Sequence, residues 1–322
     1  MSTQNNFNPV LMKSYAGAVI RHNLTIGKRA AESPMGLAPV RPELFQNHET
    51  LNFVGLTWSC ESPEVDVIRK DLRLARELLP AAHFVILANT EAENWYLSRL
   101  GVPNFLANEL IFVDDMDFTI DESAAVEFDA VYTARFVPFK RHELASKISS
   151  LLLLPGLAAP EDAGRIAALL PAATVLGVNT YFSRQQMAGH INRARVGLAL
   201  STEEASMRAF MECLLCGLPI VTTKAIGGRM RYVLEPYVRV AEDNAEAVAN
   251  AVAELTKARF PRLEVRQAAL DLLAIERRRF MEATETIISA TIGPVHPALQ
   301  FTEFARFALS WRPGNLVFSG LS

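Results

Sequence analysis

The chain has 322 residues, of which 50 % are hydrophobic and 21 % charged, a composition typical of folded globular proteins and not of disordered ones. Its net charge of −3 and pI of about 6.1 exclude an overall basic field that would attract nucleic acid or anionic lipid. Three cysteines give no disulfide framework, and no apolar run reaches the roughly 18 residues of a membrane span. The polar N-terminus also lacks a signal-peptide core, so we expect a cytoplasmic protein without a transmembrane segment.

Residues 1–50 carry little periodicity and several prolines, so we expect irregular or weakly helical structure there. Beyond them, short apolar runs alternate with amphipathic segments, which is the pattern of a parallel sheet covered by helices on both faces. The predicted strands of this part are 51–57, 83–89 and 109–115, and the predicted helices are 63–79 and 91–101. For the loop 35–40 we hypothesise a position that faces the ligand bound by the second half of the chain.

The alternation restarts after the acidic stretch 115–128, which predicts a second doubly wound unit. Its predicted strands are 129–134, 173–177, 196–200, 218–223 and 237–241, and its predicted helices are 141–153, 184–194, 205–216 and 244–258. The chain is predicted to be mainly helical from about residue 263. Since ligands of open parallel sheets bind beyond the carboxyl ends of the strands, two such units that face each other would form a binding cleft.

The stretch "EEASMRAFMECLLCGLPIVTT" (203–223) places Glu204 after a strand and Glu212 two turns into the next helix. A helix beginning near Ala205 would offer the backbone N–H groups of its first turn to a phosphate. Carboxylates beside such a site suit the vicinal hydroxyls of a sugar. The alternative is that Glu204 is a charge favoured by the helix dipole and Glu212 a solvated surface residue.

A second cluster of charge follows the strand 129–134. Arg135 and Lys140 lie in the strand-to-helix loop of the same unit, where a guanidinium and an ammonium would hold a phosphate. Two surface cations on a loop are the alternative when this pair is considered alone. Together with Glu204 and Glu212 at the same edge of the sheet, the pair indicates a site for a diphosphate with a sugar attached.

These motifs give the region of about 125–260 a resemblance to a known family. The loop 134–141, "ARFVPFKR", is similar to a G-R-L-x-x-x-K-G motif, and 204–221, "EASMRAFMECLLCGLPIV", to E-G-F-G-L-x-x-L-E-A-M-A-C-G-x-P-V-V. In that order they resemble the donor-binding domain of the retaining GT-B glycosyltransferases of family 4. The downstream Gly227–Gly228 pair and the segment "VAEDNAEAVANAV" also match the order of the family.

The resemblance implies a GT-B-like α/β fold of two facing Rossmann-like units, the first reduced in size. It implies a small N-terminal acceptor-side unit (1–125), a nucleotide-sugar donor-binding domain (126–262) and C-terminal helices (263–322) that pack back on the first unit. The implied activity is transfer of a sugar from a nucleotide-diphosphate sugar to an unidentified acceptor hydroxyl of a glycan, a lipid-linked sugar or a protein. A non-catalytic scaffold, and an epimerase or hydrolase of the same fold, are the alternatives.

The resemblance also implies roles for individual residues. Arg135 and Lys140 match the pair that holds the donor diphosphate and supports the leaving group. Glu204 matches the residue that contacts the transferred sugar, and Glu212 the residue that holds the ribose of the nucleotide. The phosphate-cradling amides are those of Ser206, Met207 and Arg208. Departures from the pattern are Ala205 and Met207, which stand where the family has small glycines.

We expect no cofactor and no required metal, because the cationic loop already supplies positive charge. Asp115-Met116-Asp117 is formally a D-x-D motif, and we interpret it as a linker turn.

Cys213 and Cys216 lie at the end of a predicted helix, whereas a redox C-x-x-C needs a helix N-terminus, and Cys60 adds no zinc ligand set. Core packing is the interpretation for both. His142 and His190 are predicted to be surface or helix-face residues, and Arg229 part of a structural turn that could reach the cleft.

Overall fold

The computed structural model describes residues 17–21, 23–28, 35, 42, 49–56, 62–156, 160–180, 182–295, 298–309 and 317–318. Contacts divide the chain into two compact units. The first comprises Met1–Phe112 together with Glu276–Ser322, and the second is Val113–Ile275. The candidate loop 35–40, apart from Met35, and Cys60 lie outside the described residues.

This division differs from the boundaries expected from the sequence. Residues 113–125, expected in the first domain, belong to the second unit. Residues 263–275, expected among the C-terminal helices, belong to the second unit as well, because the last long helix begins there and continues into the first unit.

Twelve strands and eight α-helices make up the described parts of the two units. The strands are β1 (Gly17–Arg21), β2 (Leu24–Lys28), β3 (Thr50–Gly55), β4 (Ala82–Ala88), β5 (Asn104–Leu106), β6 (Phe128–Tyr132), β7 (Leu151–Leu153), β8 (Thr174–Val175), β9 (Ala194–Ala199), β10 (Ile220–Thr223), β11 (Val238–Ala241) and β12 (Val317–Phe318). The helices are α1 (Ser62–Leu78), α2 (Glu91–Arg99), α3 (Pro160–Leu169), α4 (Arg184–Ile191), α5 (Arg208–Leu215), α6 (Ala245–Ala258), α7 (Arg262–Thr291) and α8 (Phe301–Leu309).

The first unit is built on a sheet of order β12-β1-β2-β3-β4-β5, in which only β1 and β2 pair antiparallel. The continuous apolar run of β4 is buried along nearly its whole length, as expected for a strand covered on both faces. Aromatic rings fill the core beside β3. Phe280 of α7 and Phe304 of α8 lie 5.2 Å apart between ring centroids, and Phe304 lies 6.2 Å from Phe53.

Two expectations for the first unit are wrong. Residues 1–50 contain the strands β1 and β2. Together with β12 near the C-terminus, they bring the described sheet of this unit to six strands where the sequence indicated three. Residues 109–115 do not form a strand: Glu109–Phe112 is a 3-10 turn, and the strand is β5 just before it. The side chain of Asn108 accepts a hydrogen bond from the amide of Leu110 at 2.9 Å, a local contact that favours a turn over an extended chain.

The second unit has a fully parallel sheet of order β11-β10-β9-β6-β7-β8. Counted within the unit, this is the strand order 3-2-1-4-5-6 of the Rossmann fold. The order reverses between β6 and β9, which pair side by side with Ala130 opposite Val196. The loops that follow these two strands therefore flank the switch point where such sheets bind ligands.

The strands predicted at 129–134, 196–200, 218–223 and 237–241 are confirmed as β6, β9, β10 and β11. The helix predicted over 141–153 is wrong. His142–Ala145 is a single 3-10 turn, and the leucines at the end of the range form β7, whose Leu151 pairs with Ala130 of β6. Arg141 has a left-handed backbone, with φ of 52°, so a right-handed helix cannot include this residue.

The core packing expected for the two cysteines of α5 is confirmed. Cys213 and Cys216 are buried and free. Cys213 packs so closely on β9 that a Cβ added at Gly197 would lie 2.8 Å from its sulfur. Burial raises the pKa of the Cys216 thiol to about 12 and that of Cys213 well above its usual value.

We expect both thiols to resist alkylation in the folded protein, because neither forms the reactive thiolate at neutral pH. The measurement is labelling by a thiol reagent in a Cys60→Ser variant, in which only Cys213 and Cys216 remain. Two equivalents should react in denaturant and almost none without it. Labelling at the same rate in both conditions would contradict the buried packing.

Candidate functional site

A buried ion pair lies at the switch point of the second sheet. Nζ of Lys140, in a 3-10 turn after β6, is 2.5 Å from Oε1 of Glu204, in the loop after β9. The side chains are only 7 % and 16 % exposed. Burial lowers the pKa of Lys140, while the charge of Glu204 raises it. Two of the residues singled out in the sequence, 64 positions apart, are thus in direct contact.

Glu204 is held at its second carboxylate oxygen as well. The hydroxyl of Ser201 donates to Oε2 of Glu204 at 2.6 Å and in turn accepts from Nη1 of Arg229 at 3.2 Å. A carboxylate has about four acceptor positions, so each oxygen of Glu204 can still accept from a ligand hydroxyl. Apart from its place at the end of a predicted strand, no pattern in the sequence indicated a role for Ser201 in the site.

Arg229 is completely buried and is a structural residue of the site. Its guanidinium donates to the hydroxyl of Thr222 at 3.0 Å, to the hydroxyl and carbonyl of Ser201 and to the carbonyl of Thr223. Burial lowers its pKa to about 10, and the charge of Glu204 acts in the opposite direction. Arg229 therefore ties the ends of β9 and β10 together beneath Glu204.

Arg141 joins the same loops from the other side. It donates through Nε to the carbonyl of Leu200 at 2.7 Å, contacts the hydroxyl of Thr223, and pairs through Nη1 with Asp243 at 3.1 Å. It occupies the last glycine position of the motif quoted for 134–141, and its positive φ explains why glycine is favoured there. The only sequence signal for Arg141 is this departure from glycine in the motif.

Arg135 lies on the exposed part of the loop after β6. Its charge is near enough to Lys140 to contribute to the lowering of the pKa of that lysine. The two cations expected to act together are therefore close, one exposed and one buried.

The helix at this site begins later than expected. α5 starts at Arg208, with Met207 as its N-cap and no capping side chain, so the start predicted near Ala205 is wrong by three residues. Of the three amides expected to cradle a phosphate, that of Arg208 belongs to the helix, and those of Ser206 and Met207 lie in the loop before it. Met207 is buried, and its sulfur lies 3.6 Å from the hydroxyl oxygen of Ser201.

Glu212 belongs to a separate cluster. Its Oε1 lies 3.8 Å from Nε of Arg208, one helical turn away. Burial raises its pKa, and the charges of Arg208 and Arg184 oppose that effect. Arg184 also pairs with Asp117 at 3.1 Å, which anchors the D-x-D motif within the second unit. Within the described part of the chain, no hydrogen bond or ion pair joins Glu212 to Lys140 or Glu204.

Gly227 keeps the Glu204 loop in place. The amides of Ile226 and Gly228 donate to the carbonyls of Thr202 and Ala205 at 3.0 and 2.8 Å, which joins this segment to the loop. A Cβ added at Gly227 would lie 1.6 Å from the carbonyl oxygen of Glu204. Because the φ of −81° is open to any residue, glycine is required here for space.

We expect Gly227→Ala to displace the Glu204 loop and to lower the free energy of unfolding by at least about 1–3 kcal/mol, the usual cost of overpacking. Gly164→Ala in α3 is the control, since nothing lies within 4 Å of its added Cβ, and it should stabilise the protein by roughly 0.5–1 kcal/mol. Chemical denaturation measures both. Equal stability of the two variants would contradict the close approach.

His142, expected at the surface, is instead buried beneath the loop that carries Lys140. It is 2 % exposed and packs on the rings of Tyr132 and Phe136. Burial lowers its pKa from 6.5 to about 4, a hydrogen bond with the backbone of Ala134 opposes this, and the charge of Lys140 adds to it. The short 3-10 turn places its side chain inward, where a regular helix would have allowed it to face solvent.

We expect the free energy of unfolding to fall as the pH is lowered from about 6.5 toward about 4. In that window the unfolded chain binds a proton at His142 that the folded protein does not bind, which costs up to about 3 kcal/mol of stability. Denaturation at pH 7.5 and pH 5 measures the effect. His142→Asn should reduce the difference more than His190→Asn, because His190 is less buried; an equal difference in both variants would contradict this assignment.

Solved structures similar to this chain share its fold. They include sucrose-phosphate synthase from Thermosynechococcus elongatus, with a TM-score of 0.60, 18 % identity and coverage of 83 % of this chain and 74 % of that chain. Anabaena HepE in complex with UDP has a TM-score of 0.56 and 17 % identity, and the match covers 78 % of this chain and 76 % of that chain. The pneumococcal O-GlcNAc transferase GtfA in complex with UDP and GlcNAc has a TM-score of 0.54 and 13 % identity, and the match covers 79 % of this chain and 55 % of that chain.

Neither a protein-family model nor a curated protein matches the sequence. At identities below 20 %, the structural likeness establishes the fold, which is α/β with two Rossmann-like units as in GT-B glycosyltransferases. Among the described residues, no helix is long and apolar enough to cross a membrane, and no group of three or more His, Cys, Asp or Glu side chains is arranged to hold a metal.

Proposed function

We propose that the chain is a retaining glycosyltransferase that moves a sugar from a nucleotide-diphosphate sugar to an acceptor hydroxyl. The observation that carries the proposal is the buried Lys140–Glu204 pair at the switch point of a Rossmann-ordered sheet. Charges are costly to bury, so a paired ammonium and carboxylate at a ligand-binding edge favour a role in recognition. The GT-B fold supports a sugar nucleotide as the ligand.

Uridine diphosphate is the first nucleotide to test, because HepE and GtfA were both solved with UDP. In the proposed complex, the diphosphate lies against Arg135 and Lys140 and near the amides of Ser206, Met207 and Arg208. Lys140 has three N–H donors and uses one on Glu204, so two remain for phosphate oxygens.

The two glutamates divide the recognition of the donor. Glu204 accepts from hydroxyls of the transferred sugar, and the contacts from Lys140 and Ser201 hold its carboxylate in one orientation. Glu212 accepts from the ribose. Glu212 and Arg208 both lie in α5, apart from Lys140 and Glu204, which is compatible with contact to a different part of the same ligand.

The chemistry follows from the fixed positive charges. When the bond from the sugar to the diphosphate breaks, negative charge develops on the departing oxygen, and Arg135 and Lys140 stabilise it. The acceptor hydroxyl attacks on the face from which the diphosphate leaves, and the leaving oxygen takes its proton, which retains the configuration. We propose the functional division expected from the sequence, which differs from the two compact units at residues 113–125 and 263–275. Residues 1–125 would recognise the acceptor, 126–262 would bind the donor, and 263–322 would form a C-terminal helical segment.

The pair can be tested with neutral substitutions of similar volume. Lys140→Met or Glu204→Gln alone should destabilise the protein by on the order of 3 kcal/mol, since each leaves a buried charge unpaired, and the double variant should recover most of that loss. Although Lys140 lies in a loop, it is buried and paired, so its substitution should affect stability as well as ligand binding. Arg239→Met, which breaks an exposed pair with Glu254, is the control and should cost less than about 1 kcal/mol.

The same variants separate function from stability. Lys140→Met should weaken UDP binding about tenfold to a hundredfold, and the double variant should not regain it. Glu204→Gln should bind UDP nearly normally and lose transfer, whereas Glu212→Gln should weaken both. Calorimetry with UDP and a transfer assay with labelled UDP-sugars, run with and without a chelator, measure these effects; the chelator should not abolish transfer.

Three outcomes would overturn the proposal. If no UDP-sugar or other nucleotide sugar binds, the donor site is wrong. If one binds but is neither transferred nor hydrolysed with any acceptor in a mixed pool, a scaffold becomes the better account. Release of free sugar without any acceptor, at a rate no acceptor improves, would indicate a hydrolase.

A further inference from the structure

A cavity lies at the opposite end of the same sheet from Lys140 and Glu204. Its volume is about 760 Å³, within the range of small-molecule sites. Asp129 and Arg195, the second residues of β6 and β9, mark the amino ends of these strands and line the cavity. The C-terminal half of α6 forms another wall. The function proposed for the carboxyl ends of the strands does not use this cavity.

The cavity gathers positive charge in a protein whose net charge is −3. Four cationic side chains and one carboxylate, that of Asp129, line it; the cations are Lys147, Arg195, Lys257 and Arg259. Arg195 lies 3.9 Å from Asp129, and Lys147 pairs with Glu246, which is outside the lining. Over the described stretches of the chain, no carboxylate pairs with Lys257 or Arg259, so the lining carries a surplus of positive charge.

Arg259 has an unfavourable backbone that places it at this position. It is the C-cap of α6 with φ of 49°, where glycine or asparagine is preferred. An arginine in the left-handed region is strained, and such strain is retained where the side chain has a use. Here the side chain lines the cavity.

The wall also contains a polar atom that lacks a partner. Oγ1 of Thr256 is buried and has no hydrogen-bond partner among the described residues. Thr256, Arg195 and Arg259 line both this cavity and a neighbouring one of about 420 Å³, so the two are contiguous. A buried hydroxyl without a partner is costly, and a rotation of the Thr256 side chain toward the cavity would let a ligand oxygen accept from it.

We propose that this cavity binds a small phosphorylated molecule with at least two negative charges, such as a sugar phosphate. Lys257 and Arg259 would hold the phosphate, and Thr256 would donate to it. Asp129 would accept from a hydroxyl of the ligand, which favours a sugar phosphate over inorganic phosphate. Ile148 and Val252 supply an apolar wall for the carbon skeleton.

Calorimetry with ribose 5-phosphate and with inorganic pyrophosphate tests the proposal. The titrations use the full chain as wild type and as Lys140→Met, which weakens phosphate binding at the carboxyl ends of the strands by about tenfold to a hundredfold. At least one probe should show saturable binding that survives in Lys140→Met, and stronger binding of ribose 5-phosphate would identify the sugar phosphate as the preferred chemistry. Absence of any binding event in Lys140→Met, with circular dichroism showing that the variant is folded, would overturn the proposal.

Arg259→Gly provides the decisive variant, because it removes the charge and relieves the backbone strain at once. It should weaken this binding about tenfold or more while the melting temperature stays equal or rises. Arg239→Ala is the matched control: it removes one positive charge from the same unit outside the cavity and should leave binding unchanged. Equal weakening in both variants would show only a general charge effect and overturn the site. Unaltered binding in Arg259→Gly and in Lys257→Ala would overturn it as well.

Discussion

The ion pair between Lys140 and Glu204 is the contact on which the organisation of the candidate site depends. It joins the loops after β6 and β9 at the point where the strand order reverses. Two charges removed from water gain little net stability unless further hydrogen bonds satisfy them, so such a pair is weak evidence for stability alone. Here the hydroxyl of Ser201 donates to the second oxygen of the Glu204 carboxylate. Lys140 still has N–H donors for a ligand, and Glu204 still has acceptor positions.

The framework around this pair is itself polar and buried. Arg229 has no exposed surface, and its hydrogen bonds hold the ends of β9 and β10 in register beneath Glu204. Arg141 spans the same ends from the loop after β6 and carries an unfavourable backbone to do so. Since a partly satisfied polar network is costly, a change at any member should propagate to the Glu204 carboxylate. The site is therefore preorganised by groups that would not touch the ligand.

The alternation of apolar runs predicted most of the second sheet, because strands covered on both faces have a continuous apolar sequence. The same signal failed at 109–115 and 141–153, where buried apolar residues belong to short turns as well as strands. Spacing and resemblance indicated Lys140 and Glu204. They did not indicate Ser201, Arg141 or the cavity at the amino ends of the strands, since hydrogen bonds between distant loops and left-handed backbones leave no periodic trace.

A crystal structure of the chain with a UDP-sugar would show whether the Lys140–Glu204 pair binds the donor. We expect the diphosphate within hydrogen-bond distance of Nζ of Lys140, and a hydroxyl of the sugar on the carboxylate of Glu204. The Lys140–Glu204 contact should persist, with the lysine shared between carboxylate and phosphate. A nucleotide bound elsewhere on the protein, or a sugar turned away from Glu204, would contradict it.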